Sequence, residues 1–421
     1  MFCVDTATGN RVEIDFSIYN PFDPAFIRDP YPVIRRLLSD YPVAFHRDVN
    51  AWMVSGHDLA AEVFKHPKLS TRFADWSNAP EPRPREEWIL YDEVQQHTLG
   101  NSTPEDHMRL RQLTAPAFSR RVMDQIEERV RDAVVGVFDE IADPSEFNAA
   151  TEIAAKVPIR AIAAMVGVEA SAHELFEHGL GWNLVRATNP LYPAEERRTF
   201  QEDAQEGLQH LLDLIRARQA AADPGDDFVG TLVGTRIDGD QLDDMEILTL
   251  ITALIVAGAD TAVDLHTLAV QALLTNPDQR QILRERPELM EDAVIEILRW
   301  GAHGKFGALP RFPTEDVELG GQVLEKGSFV MPLLATAWQD PKKWPEPERF
   351  DVTRSHAGNV VFGAGPHLCI GLNLVKVQGR LMISELERRF PDARLVGELE
   401  YDTNHFNARR ISQLTVATGA A

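Results

Sequence analysis

Cysteine is the scarcest side chain in this protein: there are two in 421 residues, Cys3 and Cys369, at opposite ends of the chain. Thiols so few and so far apart build neither a disulfide framework nor a four-ligand structural zinc site, and they supply no cluster for iron–sulfur chemistry. They fit a reducing cytoplasm. Positive charge is also short. The chain has 42 lysines and arginines against 65 acidic residues, a net charge of −23, which argues against a nucleic-acid partner. The opening stretch MFCVDTATGNRVEIDF carries Asp5 and Arg11 and no apolar run fit for a signal peptide or membrane anchor. A glycine-rich nucleotide-binding loop is missing too.

What is present is apolar and mostly helical. A hydrophobic fraction of 44% is ample for a large core. Length alone would suggest more than one domain, but there is no linker and no repeat, so the reading is one large, mainly α unit over residues 1–421. Before Pro104 lie a short helix after Pro32, a hairpin in PVAFHR and AWMVSG, a helix in HDLAAEVFKHP and a long surface loop with one helical turn across 68–103. From Pro104 to Trp300 the period is helical, interrupted at Asn189–Pro193 and followed by one long amphipathic helix from Ala194. The run DDMEILTLITALIVAGADTAVDLHTLAVQALLTNP reads as a single helix whose centre, LITALIVAGA, is apolar all round and therefore buried. Beyond Trp300 short strands appear, and a proline-rich stretch leads into VFGAGPHLCIGLN.

In that last stretch Cys369 could be a buried filler, a nucleophile or a ligand. Gly363, Gly365 and Gly371 let backbone approach a flat group or aim N–H donors at a sulfur. The helical run to Pro391 is expected to place Cys369 at a helix N-terminus, where the dipole lowers a thiol's pKa. A phosphatase-type loop would need an arginine where Val375 stands. Haem iron, by contrast, needs only one protein ligand, and a thiolate favours O–O cleavage.

Phe362, Gly363, Gly365, His367, Cys369 and Gly371 fill every fixed position of a pattern that resembles the haem-binding loop of the cytochrome P-450 superfamily, soluble bacterial type. The resemblance implies a mainly α fold of many helices with small β-sheets. It implies haem b as cofactor, buried between the long central helix and the cysteine-loop helix, with O2 as co-substrate and Cys369 as the iron ligand. Ala257-Gly258-Ala259-Asp260-Thr261 resembles the family's acid–alcohol motif, its small residues leaving room for a diatomic ligand. Neighbouring side chains diverge by about 100° on a helix, so Thr261 is expected beside dioxygen and Asp260 toward a proton-supplying water path. Glu296 and Arg299 resemble the family's Glu-x-x-Arg pair, with Arg349 as third member. The spacing alone says little, because Glu128/Arg131 and Glu385/Arg388 share it. His107, Arg111, Arg311 and His367 match propionate-binding positions.

The implied activity is a haem-thiolate monooxygenase that hydroxylates or epoxidises a mainly apolar small molecule, a secondary metabolite of polyketide or macrolide type. With no nucleotide loop in the chain, electrons are expected from a separate ferredoxin and ferredoxin reductase, docking on Lys342, Lys343, Lys376, Arg380 and Arg388. The pocket is expected under residues 72–100, 189–193, 302–309 and 402–408, with Leu254 and Ala257 as floor and Phe306 in its wall. His303 and Lys305 are expected to meet a polar or anionic part of the substrate. The alternative is a non-monooxygenase haem-thiolate protein, a peroxygenase, coupling enzyme or haem sensor; the acid–alcohol pair argues against it. The chain departs from the family pattern at Asn359, at Gln339 and across Val375–Gln378, positions that touch helper hydrogen bonds and the redox-partner surface.

Overall fold

The Asp243 carboxylate accepts the Glu246 amide while the Glu246 carboxylate accepts the Asp243 amide, and this capping box starts the central helix, Asp244–Thr275. The helix stops at Asn276, where Pro277 opens the next one. By length and composition it could cross a membrane, but most of it is buried inside the protein. Helices Val157–Val166, Gln205–Ala220, Met290–Gly301 and Leu372–Arg389 pack around it. It is thus the core helix of a mainly helical fold. The computed structural model describes residues 11–81, 83–225, 227–306 and 309–419; Cys3 and Asp5 lie outside the described residues, as do positions 307–308 of the expected pocket segment.

The expected hairpin forms from Val43–His46 and Ala51–Ser55. Glu13–Ile14 and Val330–Leu333 flank it in parallel, and Trp52 is in register with Val330. A second apolar cluster under this sheet gathers Tyr19, Phe26, Met53, Phe306 and Met331. One expectation changes, and one gains detail. The helix from Ala194 divides at the buried Ala204 into Ala194–Asp203 and Gln205–Ala220. The stretch 68–103 contains the helix Leu90–Gln95, seated on the central helix by buried Tyr91 and Val94 and by Thr249 Oγ1, which donates to the Val94 carbonyl (3.0 Å). Tertiary docking ordered what local period did not show.

The segment leading into the cysteine loop hangs on one carboxylate. Glu296, fully buried, accepts from Arg299 Nε (2.6 Å) and Nη2 (2.8 Å), the Asp351 amide (3.0 Å) and Arg354 Nε (3.2 Å), and pairs with His356 Nε2 (3.2 Å). Burial alone would raise its pKa, but the Arg299 and His356 hydrogen bonds outweigh that and hold it below the usual range. Arg299 also donates to the carbonyls of Trp338, Pro347 and Arg349. Arg349 thus joins through its backbone only. Its side chain is exposed and pairs with Glu346, and Arg354 is the third charged member.

A second buried polar group has far less compensation. His266 on the central helix is fully buried, and neither ring nitrogen makes a hydrogen bond of ordinary geometry. Burial pushes its pKa down to about 3, with the Ala154 main chain compensating only in part.

Glu296→Gln should lower stability by about 3–5 kcal/mol, because it strands buried cations. Arg349→Ala should stay within about 0.5 kcal/mol; urea midpoints of the two variants measure both. The unfolded chain protonates His266 from about pH 6.5 downward, whereas the folded protein resists until about 3. This residue therefore removes about 2 kcal/mol of stability between pH 7 and pH 5. His266→Leu should abolish that share of the acid sensitivity in paired denaturation curves.

Candidate functional site

The cysteine loop is closed by three main-chain bonds: Gly363 N to Val360 O (3.0 Å), Leu368 N to Gly365 O (3.1 Å) and Cys369 N to Phe362 O (3.0 Å). Gly365 is required twice over. Its φ is +71°, and a Cβ there would sit 2.9 Å from the Phe64 carbonyl oxygen. The following helix, Leu372–Arg389, has Gly371 as its N-cap, so Cys369 lies just ahead of the helix. Cys369 keeps accessible surface although the protein around it shields it from bulk water. Burial pushes the thiol's pKa up, against the Gly371 amide and the Arg111 charge. The expected lowering is therefore reversed, since desolvation exceeds what the helix end supplies. A metal ion at that sulfur would supply charge that favours the thiolate.

Four nitrogen-bearing side chains converge beside it. The rings of His107 and His367 lie 4.0 Å apart between centroids. Burial, followed by the nearby charges of His107, Arg311 and Arg111, pushes His367 down to about 4. Arg311 is buried, and among the described residues its guanidinium donates to the carbonyls of Leu309 (2.8 Å) and Pro310 (3.2 Å) alone; burial pushes its pKa down to about 10. Among the described residues no carboxylate pairs with Arg111 or Arg311. Two arginines crowded together without acids suit a dianionic group, and the propionates of haem fit that charge.

The central helix contributes an open face. Ala257 and Thr261 are exposed midway along an otherwise buried helix, and their i, i+4 spacing puts them on one side, with Leu254 one turn earlier. Thr261 Oγ1 donates to the Ala257 carbonyl (2.7 Å). The small-residue gap is narrower than expected. Ala259 is buried, and Gly258 faces the neighbouring helix, where an added Cβ would lie 3.2 Å from Ile162 Cδ1. Gly258 thus serves helix packing, and Ala257 forms the opening.

Asp260 is turned from Thr261 and held by the C-terminal hairpin of Glu400–Tyr401 and Ile411–Gln413. Its Oδ1 accepts from Arg410 Nη1 (2.7 Å) and from His405 Nε2 (3.3 Å), while Arg410 Nη2 donates to its main-chain carbonyl (2.6 Å). Arg410 also forks onto Asp264, through Nε (3.0 Å) and Nη2 (3.1 Å). Burial raises the Asp260 pKa, but the His405 bond and the Arg410 charge overcome it and drive the carboxyl well below the usual range. Asp264, His405 and Arg410 escaped the sequence reading because they lie far from Asp260 along the chain or outside the motif. The charged dipeptide Arg409-Arg410 before an apolar strand was the only hint.

The expected pocket wall needs correction. Lys305 is fully buried, and its ammonium donates to the carbonyls of His405 (2.7 Å) and Thr403 (3.4 Å), not into an open space. His303 lies against Trp338, ring centroids 5.2 Å apart, and burial lowers its pKa. Phe306 packs between Phe22 and Phe406 in the cluster under the sheet. Each is drawn into the seam between residues 303–306 and 405–409, a pairing that sequence distance hides.

The profile of the cytochrome P450 family matches residues 49–391. The chain belongs to the cytochrome P450 family. It is 28% identical over 385 residues, 90% of each chain, to an epothilone C/D epoxidase of Sorangium cellulosum. It is 32% identical over 390 residues to the cytochrome P450 monooxygenase PikC of Streptomyces venezuelae, covering 90% of this chain and 89% of that one. The crystal structure of epothilone B-bound cytochrome P450epoK superposes with a TM-score of 0.85 at 26% identity, over 96% of this chain and 100% of that chain. The protein is accordingly a P450 monooxygenase, with haem b and O2 as its cofactor and co-substrate. The donor set here fits that group: one accessible thiol, two arginines without a carboxylate partner among the described residues, and two histidines in ring contact.

Reduced, carbon-monoxide-treated protein should show the strongly red-shifted Soret band of a thiolate ligand, and Cys369→Ser should lose it. Arg311→Leu should retain less haem after gel filtration, because it removes a buried cation that no carboxylate balances.

Proposed function

We propose that this P450 oxygenates a mainly apolar, neutral small molecule of polyketide or macrolide type, with Thr261 and Asp260 managing protons. The observation that carries the reading is the open Ala257/Thr261 face in an otherwise buried helix, beside a carboxylate held ionised. Relatives named epothilone C/D epoxidase, 6-deoxyerythronolide B hydroxylase and mycinamicin IV hydroxylase/epoxidase support the substrate class. The inward turn of Lys305 and His303 supports a neutral substrate, since neither offers charge to an anion.

Haem, once bound through Cys369, would supply dioxygen activation, and Arg111, Arg311, His107 and His367 would hold its carboxylates. One oxygen atom goes to substrate and the other to water, consuming two electrons and two protons. Thr261 Oγ1, anchored on the Ala257 carbonyl, keeps its lone pairs free to order a water or pass a proton. Asp260 stays ionised near neutral pH and so cannot store a proton as an acid. Its role is to orient the water that delivers one.

Electrons come from an external redox partner, which we read as a ferredoxin served by a ferredoxin reductase. Of the expected docking cations, Arg380 is paired with Glu127 and Arg388 with Glu385. Lys342, Lys343 and Lys376 make no ion pair among the described residues, and they carry the docking reading. The chain is read as one cytoplasmic P450 domain over 1–421, a reading supported by the continuous core around the central helix.

With ferredoxin, reductase and NADPH supplied, a 14-membered macrolactone should shift the haem spectrum and be hydroxylated or epoxidised. Thr261→Ala should divert reducing equivalents to hydrogen peroxide at unchanged macrolactone affinity. Unchanged coupling in that variant removes Thr261 from the role, and absence of any spectral shift overturns the substrate class.

A further inference from the structure

A lysine buried without a carboxylate is an expensive arrangement, because a desolvated ammonium gains full compensation only from an opposite charge. Lys305 is such a residue. Its side chain has no exposure, and among the described residues its Nζ reaches only the carbonyls of His405 and Thr403 and, at 5.1 Å, the face of Phe22. The main chain around it is equally committed. Lys305 N donates to Asn407 O (2.8 Å), Arg409 N donates to His303 O (2.7 Å), Gly304 bridges Ala408, and Tyr19 donates its hydroxyl to the Lys305 carbonyl. Residues 303–305 and 405–409 thus form a short two-stranded seam, and the ammonium is a brace across its open end.

The braced loop carries His405. Its Nδ1 accepts the Ala408 amide (3.0 Å), which leaves the proton on Nε2, the nitrogen that meets Asp260 Oδ1 at 3.3 Å. That tautomer makes neutral His405 a fixed donor to Asp260. Relay of a proton through the ring is disfavoured, because Nδ1 is already taken up by an amide donor. The path therefore runs from the Lys305 ammonium, through the carbonyl and ring of His405, to the carboxylate beside Thr261.

We propose that Lys305 is a positioning residue for oxygen activation: by bracing the 403–405 carbonyls it sets the His405 ring, and through it the carboxylate orientation of Asp260, and so governs how much consumed oxygen ends as product rather than peroxide. The inference rests on the reading of Asp260 given above. Arg410 binds the same carboxylate oxygen and the Asp260 main-chain carbonyl, so loss of the brace loosens Asp260 without freeing it. In the peroxide branch, two electrons and two protons reduce O2 to H2O2 and substrate is untouched. In the productive branch the same electrons and protons yield oxygenated substrate and water.

The charges facing Lys305 are few. Burial lowers its pKa to about 8, Asp402 in the loop works against that, and Arg409 adds to it. His405 and Tyr19 are the other titratable neighbours, the first through its carbonyl and the second through its hydroxyl. Above about pH 8 the ammonium gives up its proton and the brace weakens to neutral hydrogen bonds.

The experiment uses the haem-loaded enzyme with ferredoxin, reductase and NADPH, a 14-membered macrolactone as probe, and peroxide and product quantified from pH 6.5 to 9.5. Lys305→Met should raise the peroxide-to-product ratio on the order of tenfold, with macrolactone affinity unchanged and with no further rise at alkaline pH. Lys305→Arg should restore low peroxide and remove the alkaline rise, since its charge persists. His405→Phe should reproduce the Met phenotype, and the double variant should be no worse than either single one. Hydrogen exchange at the 402–408 amides should quicken in Lys305→Met, a readout independent of turnover. Should Lys305→Met fail to fold, the Arg variant's pH profile and His405→Phe decide the matter. Asp260→Asn separates the two readings: if it leaves coupling unchanged, the role of Asp260 fails. If it uncouples while Lys305→Met and His405→Phe do not, Lys305 only braces the fold and the inference is overturned.

Discussion

The Glu296 carboxylate is the constraint on which the proximal half of the molecule depends. Without solvent, it collects two arginines, a histidine and a backbone amide, and its partner Arg299 collects the carbonyls of residues 338, 347 and 349. No regular strand or helix spans the region between Gln339 and Ala364. What fixes that irregular chain is therefore not a hydrogen-bond ladder but one buried charge and the groups it has to satisfy. A buried ion pair is a poor source of net stability and a strong selector of geometry, because alternatives leave a charge unpaired. The cysteine loop inherits its position from this segment on one side and from the Gly365–Phe64 contact on the other.

The central helix performs two unlike tasks on adjacent residues. Asp260 looks toward the C-terminal hairpin and is tied there by Arg410 and His405. Thr261 looks into open space with its hydroxyl anchored one turn back. The angular step of the helix forces this division. Gly258 shows the same rule from the opposite side: one residue along from Ala257, it touches Ile162 and serves packing.

Charge in this protein is arranged by context more than by composition. The chain is strongly acidic, yet around Cys369 two arginines stand with no carboxylate among the described residues. The docking cations divide in the same manner. Arg380 meets Glu127 of a packed neighbouring helix and Arg388 meets Glu385 one turn back on its own helix, while Lys342 and Lys343 have no acidic partner among the described residues.

Much of the site was legible because it is local. The loop around Cys369, the acid–alcohol pair, the Glu296/Arg299 spacing and the His107/Arg111 face each lie within a few residues, where glycine freedom and helical period act directly. The buried central helix was legible too, since a run apolar on every face has only the core to go to. What the sequence could not settle was every choice between partners distant in the chain. Arg354 replaced Arg349 at Glu296, Lys305 turned into the seam with residues 403–409, and Arg410 and His405 took hold of Asp260. Local pattern determined which groups were chemically able to serve. Tertiary structure decided which of them met, because a buried charge is satisfied by whichever neighbour the packing brings within hydrogen-bond reach.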